Sequence, residues 1–330
     1  MSDPFSSHET LDVRYRSADQ ISSGGALANL GNGPAVNSHG TPARLIAWPG
    51  TGFQTEAVHV LTLEPGHQGN RYQYDVAEEA LLCHSGKAEV WLRDQWVSLE
   101  PGDIAYIPEG VERSVRNSSD AKSNLVVQIT PPQLDLYIDH GFYDEEMAVI
   151  NHDAADKARV TAPTVEMPAA NFEYRETHPE VRSWNLERQD VRQSGALFNA
   201  LMGTPFSGIG LPMRLVLWPG AGPRSVGFNY AYDPAGVTDA LHTHPVSDEC
   251  LIMWRGSGRF FIAGEWIDAE AGDVALAPCG VAHGHTSDGD DTWLGGFASP
   301  PQLDLLMPTE YYEDGRFSSP EATRLEIERT

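Results

Sequence analysis

Residues 242–256 read His-Thr-His-Pro-Val-Ser-Asp-Glu-Cys-Leu-Ile-Met-Trp-Arg-Gly. His242 and His244 are two positions apart, so on a β-strand their side chains point to the same side. Glu249 follows after the turn-like segment Pro-Val-Ser-Asp. The stretch therefore brings two imidazoles and one carboxylate within reach of one another.

A second stretch adds a third imidazole. Residues 272–283 read Gly-Asp-Val-Ala-Leu-Ala-Pro-Cys-Gly-Val-Ala-His, which places His283 at the end of a later strand. Three imidazoles and one carboxylate form a mixed nitrogen and oxygen site that suits Fe, Mn, Ni, Co, Zn or Cu. Four protein ligands leave two positions of an octahedral metal open for water, substrate or O₂.

The sequence around these stretches is duplicated. Arg-Leu-Ile-Ala-Trp-Pro-Gly at 44–50 returns as Arg-Leu-Val-Leu-Trp-Pro-Gly at 214–220. Pro-Pro-Gln-Leu-Asp-Leu at 131–136 recurs at 300–305, with nearly the same offset. The two copies lie 170 residues apart at the first landmark (214 − 44) and 169 apart at the second (300 − 131). An offset of this length indicates two copies of a whole domain rather than a short structural repeat.

Each copy reads as β structure, because short runs rich in β-branched and aromatic residues alternate with Gly, Pro and Asp. Such a pattern predicts a sandwich or a barrel. We expect five regions, in chain order: an N-terminal arm at 1–40, a first barrel at 41–150, a linker at 151–210, a second barrel at 211–315 and a tail at 316–330.

The spacings H-x-H-x4-E-x6-G and G-x5-P-x-G-x2-H resemble the two sequence motifs of the cupin superfamily. The resemblance implies an all-β chain with two tandem jelly-roll β-barrels, a bicupin, carrying an N-terminal arm and a mostly irregular linker. It implies one divalent transition metal per chain, Fe first and Mn, Ni, Zn or Co as alternatives. The ligands that it implies are His242, His244, Glu249 and His283.

The first copy departs from the motif at the ligand positions. At the equivalent positions of the repeat, Tyr72, Tyr74 and Arg113 replace the three histidines, and only Glu79 is retained. Arginine cannot lose its proton to bind a metal. We therefore expect a Glu79–Arg113 ion pair, a metal-free first barrel, and one active site per chain.

Three further residues are candidates for the catalytic pocket. His285 lies two positions beyond His283, so it supports a ligand or acts as a general acid or base. Tyr230 belongs either to the barrel core or to an aromatic wall of the pocket. Arg259 is either a surface residue or a clamp for a substrate carboxylate.

The fold does not fix the reaction, so several functions stay open. The leading hypothesis is an Fe(II)-type dioxygenase that cleaves an aromatic, enolic or diketone-like small molecule with O₂. The alternatives are a redox-silent lyase, decarboxylase or isomerase, a hydrolase similar to ureidoglycine aminohydrolase, and a non-catalytic ligand-binding bicupin.

Composition restricts the partners and the compartment. The 330 residues carry 47 Asp and Glu against 22 Lys and Arg, a formal net charge of −25, which disfavours nucleic acid and anionic membranes. Three cysteines without C-x-x-C spacing fit a reducing compartment. We expect a cytoplasmic monomer or homodimer with a small-molecule substrate.

Overall fold

The computed structural model describes residues 24–208, 211–289 and 291–307, together with the pairs 312–313, 316–317 and 323–324. Most of the expected tail at 316–330, and positions 1–23 of the expected arm, lie outside this range.

Twelve strands precede residue 151: β1 (Ala26–Asn29), β2 (Ala35–Ser38), β3 (Thr41–Ala47), β4 (Ala57–Leu63), β5 (Glu78–Ser85), β6 (Ala88–Leu92), β7 (Gln95–Leu99), β8 (Asp103–Ile107), β9 (Val115–Arg116), β10 (Ser123–Thr130), β11 (Tyr143–Asp144) and β12 (Val149–Ile150). The later strands are β13 (Ala196–Asn199), β14 (Met202–Gly208), β15 (Leu211–Leu217), β16 (Phe228–Asp233), β17 (Asp248–Arg255), β18 (Ser257–Ile262), β19 (Glu265–Glu270), β20 (Asp273–Ala277), β21 (Gly284–Ser287), β22 (Thr292–Ser299), β23 (Tyr312–Glu313), β24 (Arg316–Phe317) and β25 (Thr323–Arg324). The helices are short: α1 (Leu134–Asp139), α2 (His152–Thr161), α3 (Arg188–Ser194) and α4 (Leu303–Leu306).

Each copy folds into one large and one small antiparallel sheet. The first domain has the order β13-β8-β5-β10-β4-β3-β2 beside β7-β6-β9, and the second has β1-β20-β17-β22-β16-β15-β14-β25 beside β19-β18-β21. Apolar side chains of both sheets pack into a common core in each domain. The expectation of an all-β chain with two tandem domains is confirmed.

The tight hairpins show why these strands pair in this register. In the second domain β18 and β19 are joined by Ala263 and Gly264, with φ of 56° and 84°. In the first domain Arg93 and Asp94 occupy the same place with φ of 52° and 61°. Two consecutive residues of positive φ match the right-handed twist of the flanking strands, so the hairpin closes without splaying them.

The two domains exchange their first strands. β1 pairs with β20 of the second domain, with Ala26 opposite Leu276, whereas β13 pairs with β8 of the first domain, with Ala196 opposite Tyr106. Ala26 and Ala196 occupy equivalent positions of the repeat, as do Tyr106 and Leu276, so the exchange obeys the internal duplication. The region expected as an arm thus contributes two strands, because β1 pairs with β20 of the second domain and β2 pairs with β3 of the first.

The expected linker is more ordered than its composition suggests. Within 151–210 the structure has two helices, α2 and α3, and two strands, β13 and β14. The linker residue Phe172 is buried beside Trp254 and Trp293, with ring centroids 5.5 Å and 6.0 Å away. This aromatic core continues between the domains and holds them together.

No helix among the described residues is long and apolar enough to cross a membrane. The three cysteines form no disulfide, and Cys83 and Cys250 are buried.

Candidate metal centre

Two backbone segments place the candidate ligands beside one another. The amides of His242 and His283 each donate to the carbonyl of the other at 3.0 Å, which forms an isolated antiparallel bridge. The Gly280 amide donates to the His244 carbonyl at 2.8 Å. Glu249 is the second residue of β17, so its side chain starts from a central strand of the large sheet.

The four candidate ligand residues meet at one point inside the second domain. One ligand atom from each of His242, His244, Glu249 and His283 lies within 4.8 Å of all the others. Glu249 Oε2 is 3.0 Å from His244 Nε2 and 2.8 Å from His283 Nε2. Within the described ranges no other group of three or more His, Cys, Asp or Glu side chains could hold a metal.

The other ring nitrogen of each histidine is held by a partner outside the cluster. Nδ1 of His242 faces the Ala240 carbonyl at 2.8 Å, and Nδ1 of His283 faces the Val281 carbonyl at 2.9 Å. Nδ1 of His244 faces Asp304 Oδ2 at 3.0 Å. Partners of this kind fix the tautomer and the ring orientation of metal-binding histidines, so that Nε2 is free to coordinate.

The electrostatics of the cluster favour an ionised carboxylate. Burial alone would raise the pKa of Glu249, but hydrogen bonds from His244 and His283 hold it well below its usual value. Burial lowers the pKa of His242 to about 4, helped by the neighbouring His283. For His244, burial is outweighed by the hydrogen bonds to Asp304 and Glu249, which raise its pKa to about 10.

The donor set fits a first-row divalent metal. Three imidazole Nε2 atoms and one ionised carboxylate oxygen, all nearly excluded from solvent except His242, match the ligand preference of Fe, Mn, Co, Ni and Zn.

Two residues that we did not single out from the sequence complete the site. Gln302 Nε2 donates to Glu249 Oε1 at 2.8 Å, and its Oε1 accepts from Asn229 Nδ2 at 3.2 Å. Asp304 holds His244 as described above. Both lie in the recurring Pro-Pro-Gln-Leu-Asp-Leu segment, so the repeat was the available signal, although spacing alone could not show that the segment folds back over the ligands.

A small cavity adjoins the ligands. Its volume is about 20 Å³, which is room for roughly one water molecule. The lining residues are Met213, Asn229, Ala231, Asp239, His242, Glu249, Leu251, His283, His285, Leu294, Gly295, Gln302 and Leu305. No Phe, Tyr or Trp is among these described residues.

His285 lies on this cavity between two carboxylates. Its Nε2 is 2.7 Å from Asp233 Oδ2, and its Nδ1 is 3.5 Å from Asp239 Oδ2. Burial raises the pKa of Asp239 to about 6. Asp239 Oδ1 is buried and has no hydrogen-bond partner among the described residues. The sequence reasoning did not single out Asp239, which no motif marks.

The structure places Tyr230 away from the cavity. Its side chain is fully buried against Phe172 and Trp293, at centroid distances of 6.1 Å and 6.2 Å. Its neighbours Asn229 and Ala231 line the cavity instead. Alternation along β16 therefore turns the aromatic face toward the core between the domains, so the expected aromatic wall is not part of the site.

Arg259 also lies outside the cavity lining. It precedes Phe260 on β18, and Phe260 is fully buried in the core opposite His285. Successive side chains on a strand point to opposite faces, so Arg259 faces away from the metal ligands. The structure does not bring Arg259 to the position of a substrate clamp.

In the first domain the equivalent positions form an ion pair. Arg113 Nε donates to Glu79 Oε2 at 2.7 Å, and both side chains are buried. Tyr72 donates to the same carboxylate at 3.0 Å. The guanidinium of Arg113 lies 4.3 Å from the ring centroid of Tyr74. The Glu79–Arg113 pair expected from the repeat is present.

Comparison with known proteins agrees with the fold. The Cupin domain family matches residues 59–129 and 228–293, one region in each copy. The search of curated proteins finds no match for this chain.

Several solved structures share the architecture at low sequence identity. Ylba from E. coli has a TM-score of 0.55 and 13% identity, over 85% of this chain and 92% of that one. A variant of Bacillus subtilis oxalate decarboxylase has a TM-score of 0.54 and 13% identity, over 92% and 89%. A variant of salicylate 1,2-dioxygenase from Pseudoaminobacter salicylatoxidans has a TM-score of 0.51 and 14% identity, over 80% and 78%.

The duplicated β-domains, the two matched regions and the similar architectures agree with one another. The chain contains two cupin domains, and the three histidines and one glutamate of the sequence motif are all retained only in the C-terminal copy.

Proposed function

We propose that the second domain is the catalytic domain of a metal-dependent enzyme that acts on a small polar molecule by proton transfer beside the metal. The observation that carries the proposal is the cavity next to the ligands. It is small, and Asp239 and His285, two groups that can transfer a proton, stand on its wall among apolar side chains.

Four residues would hold the metal: His242, His244, Glu249 and His283. A divalent metal at this point would supply Lewis acidity to a carbonyl or carboxylate oxygen, and redox chemistry if it were iron. Iron and manganese are the metals that we favour. Gln302 orients Glu249 through its amide, so the carboxylate keeps one oxygen free for the metal side of the cluster.

Asp239 and His285 are the candidate acid and base. With a pKa of about 6, the Asp239 carboxyl holds a proton in part of the molecules near neutral pH, which suits both donation and acceptance. Asp233 and Asp239 flank opposite nitrogens of the His285 ring and fix its orientation. A proton can therefore be held at Asp239 Oδ1, which has no hydrogen-bond partner among the described residues, without rearrangement of the ring.

This arrangement favours a lyase, decarboxylase, isomerase or hydrolase reaction on a compact oxo-acid, carboxylate or amide. A decarboxylase is among the structures that share the fold, although a likeness at 13% identity carries neither reaction nor substrate.

The second candidate is an Fe(II)-type dioxygenase. The ligand set supports it, because four protein ligands leave two positions for substrate and O₂, and the fold is also shared with salicylate 1,2-dioxygenase. A substrate of either kind would require side chains of the lining, such as Met213 and Leu305, to move aside, and an aromatic ring would require the larger displacement. A non-catalytic binding role is the third candidate, and the unpartnered Asp239 Oδ1 speaks against it.

Turnover with and without air separates these candidates. Metal-loaded protein is incubated with a panel of small oxo-acids, dicarboxylates and ureido compounds, and with catechols and β-diketones, under air and under argon. We expect turnover of a compact polar substrate that is independent of O₂. Turnover of an aromatic or diketone substrate that stops under argon would establish the dioxygenase instead.

Asp239→Asn is the matched variant for this assay. Compared at equal metal loading, it should lower turnover at least tenfold, since one general acid or base contributes about 10²–10⁴-fold. Unchanged turnover would remove Asp239 from the mechanism. We further propose that the first domain holds no metal, that 41–150 and 211–315 form the main parts of the two cupin domains, and that the protein is a cytoplasmic monomer or homodimer. Strands β2 and β13 complete the first large sheet, and β1 and β14 extend the second.

A further inference from the structure

Two acidic residues at equivalent positions of the two copies bind the backbone of the opposite domain. Glu78 is the first residue of β5, and Asp248 is the first residue of β17, its counterpart in the repeat. Both side chains are nearly inaccessible to solvent. Each directly precedes the carboxylate, Glu79 or Glu249, that faces the inside of its own domain.

Asp248 reaches from the second domain into a loop of the first. Its Oδ2 accepts from the amides of Gln54 and Thr55 at 2.6 Å and 2.7 Å, and it lies 2.8 Å from Thr55 Oγ1. Hydrogen bonds to an ionised carboxylate are short and strong, and three donors on one oxygen leave it little freedom.

Glu78 makes the mirror-image contact. Its Oε2 accepts from the amides of Arg224 and Ser225 at 3.0 Å and 2.7 Å, and from Ser225 Oγ at 2.8 Å. Ser225 is the counterpart of Thr55 in the repeat. The contact between the domains is therefore built twice with the same chemistry.

The second carboxylate oxygen breaks this symmetry. Asp248 Oδ1 accepts from the Cys279 amide at 2.9 Å, and Cys279 lies in the turn that leads into His283. Glu78 Oε1 instead accepts from Tyr106 Oη at 2.6 Å, on strand β8. Asp248 thus touches both the first domain and a ligand-bearing turn, whereas Glu78 serves only as a domain contact and a support for β8.

The same loop of the first domain also reaches the segment that covers the ligands. Thr55 Oγ1 lies 2.5 Å from the Ser299 carbonyl, at the end of β22. Ser247 Oγ, one position before Asp248, donates to the Pro300 carbonyl at 2.7 Å. Gln302, which binds Glu249, follows shortly after.

We propose that the first domain is part of the support of the metal centre. Through Asp248, its loop at Gln54 and Thr55 holds the turn that carries His283 and the start of the strand that carries Glu249. Asp248 is a positioning residue. The first domain, which contributes no metal ligand, acts on the second by pre-organising the four-residue ligand cluster. The inference rests on the proposed function, because it takes the four-residue cluster to be a metal site.

The internal repeat provides the control. Full-length wild type, Asp248→Asn and Glu78→Gln are titrated with Mn²⁺ after metal removal, and free Mn²⁺ is measured by electron paramagnetic resonance. We expect Asp248→Asn to raise the Mn²⁺ dissociation constant about 10- to 100-fold, the usual effect of losing an outer-shell partner. Glu78→Gln should stay within about twofold of wild type, although both variants lower the unfolding midpoint of the metal-free protein.

Thr55→Val is the second variant, since Asp248→Asn could prevent folding. It changes only a hydroxyl in the first domain, and it should weaken Mn²⁺ binding about three- to tenfold. Wild-type affinity in both Thr55→Val and folded Asp248→Asn would overturn the positioning role, as would an equal loss in Glu78→Gln and Asp248→Asn. A wild-type chain that binds no Mn²⁺ or other first-row metal would instead refute the proposed function, on which the inference depends.

Discussion

Glu56 lies between the two domains with no exposed surface. Its Oε2 accepts a hydrogen bond from Gln128 Nε2, and its Oε1 has no partner among the described residues. Burial raises the pKa of this carboxyl well above its ordinary value, and the nearby carboxylates of Asp248 and Glu249 add to the effect. The folded protein therefore retains the Glu56 proton at pH values where the unfolded chain has lost it.

The sign of the pH dependence follows from this difference. The folded pKa is raised, so stability is fully present below the unfolded pKa of about 4.3 and is lost as the pH rises toward the folded pKa. Each pH unit in this window costs about 1.4 kcal/mol. The wild type should therefore lose unfolding free energy as the pH rises above about 4.3, for as long as Glu56 stays protonated in the folded chain.

Glu56→Gln tests this directly, because the amide copies the shape of the protonated acid and cannot ionise. Urea unfolding is measured at pH 5, 6, 7 and 8 with chelator present, which keeps metal binding out of the comparison. The advantage of the variant over wild type should grow as the pH rises from 5 to 8, by at most about 1.4 kcal/mol per pH unit. Glu64→Gln, at an exposed ion pair with Lys122, should change stability by less than about 1 kcal/mol at any pH. Parallel pH profiles for wild type and Glu56→Gln would refute the reasoning.

Three further predictions concern the two domains separately. Arg113→Met leaves the buried Glu79 carboxylate without its partner and should cost about 3–5 kcal/mol of unfolding free energy by urea titration, with the metal content unchanged; loss of metal in a folded variant would contradict a purely structural role for the Glu79–Arg113 pair. Asp304→Asn weakens the hold on His244 Nδ1 and should raise the Mn²⁺ dissociation constant about 10- to 100-fold, whereas an unchanged affinity would show that Asp304 is dispensable. Trp254→Ala opens a cavity in the shared aromatic core and should destabilise the chain by about 3–5 kcal/mol; a loss below about 1 kcal/mol would mean that this core contributes little.

The sequence predicts the two copies and the ligand cluster for physical reasons that are local. Residues His242 and His244 share a side of an extended segment because of strand alternation, and the landmarks of the repeat keep a nearly constant offset along the whole chain. Both features depend on short spacings or on direct identity of sequence. For that reason the amino-acid sequence alone predicts the all-β class, the tandem arrangement and the Glu79–Arg113 pair.

The contacts that the sequence does not reveal are long-range. The exchange of β1 and β13 joins segments that are far apart in the chain, and the sequence of a short strand does not identify the strand with which it pairs. The sequence does not show which face of β16, the one with Tyr230 or the one with Asn229 and Ala231, points to the metal ligands. A shift of one residue in the register moves every side chain to the other side of the sheet. Gln302 reaches Glu249 only because the chain folds back after β22, a path that periodicity does not encode.

Metal stoichiometry is the decisive measurement for a single metal centre in the second domain. Elemental analysis of the purified full-length chain, of His242→Ala and of Glu79→Gln compares the two copies within one protein. We predict close to one equivalent of first-row transition metal per chain in the wild type and in Glu79→Gln, and nearly none in His242→Ala. A wild-type chain that takes up no metal, or a His242→Ala variant that keeps its full equivalent, would contradict the assignment of the site.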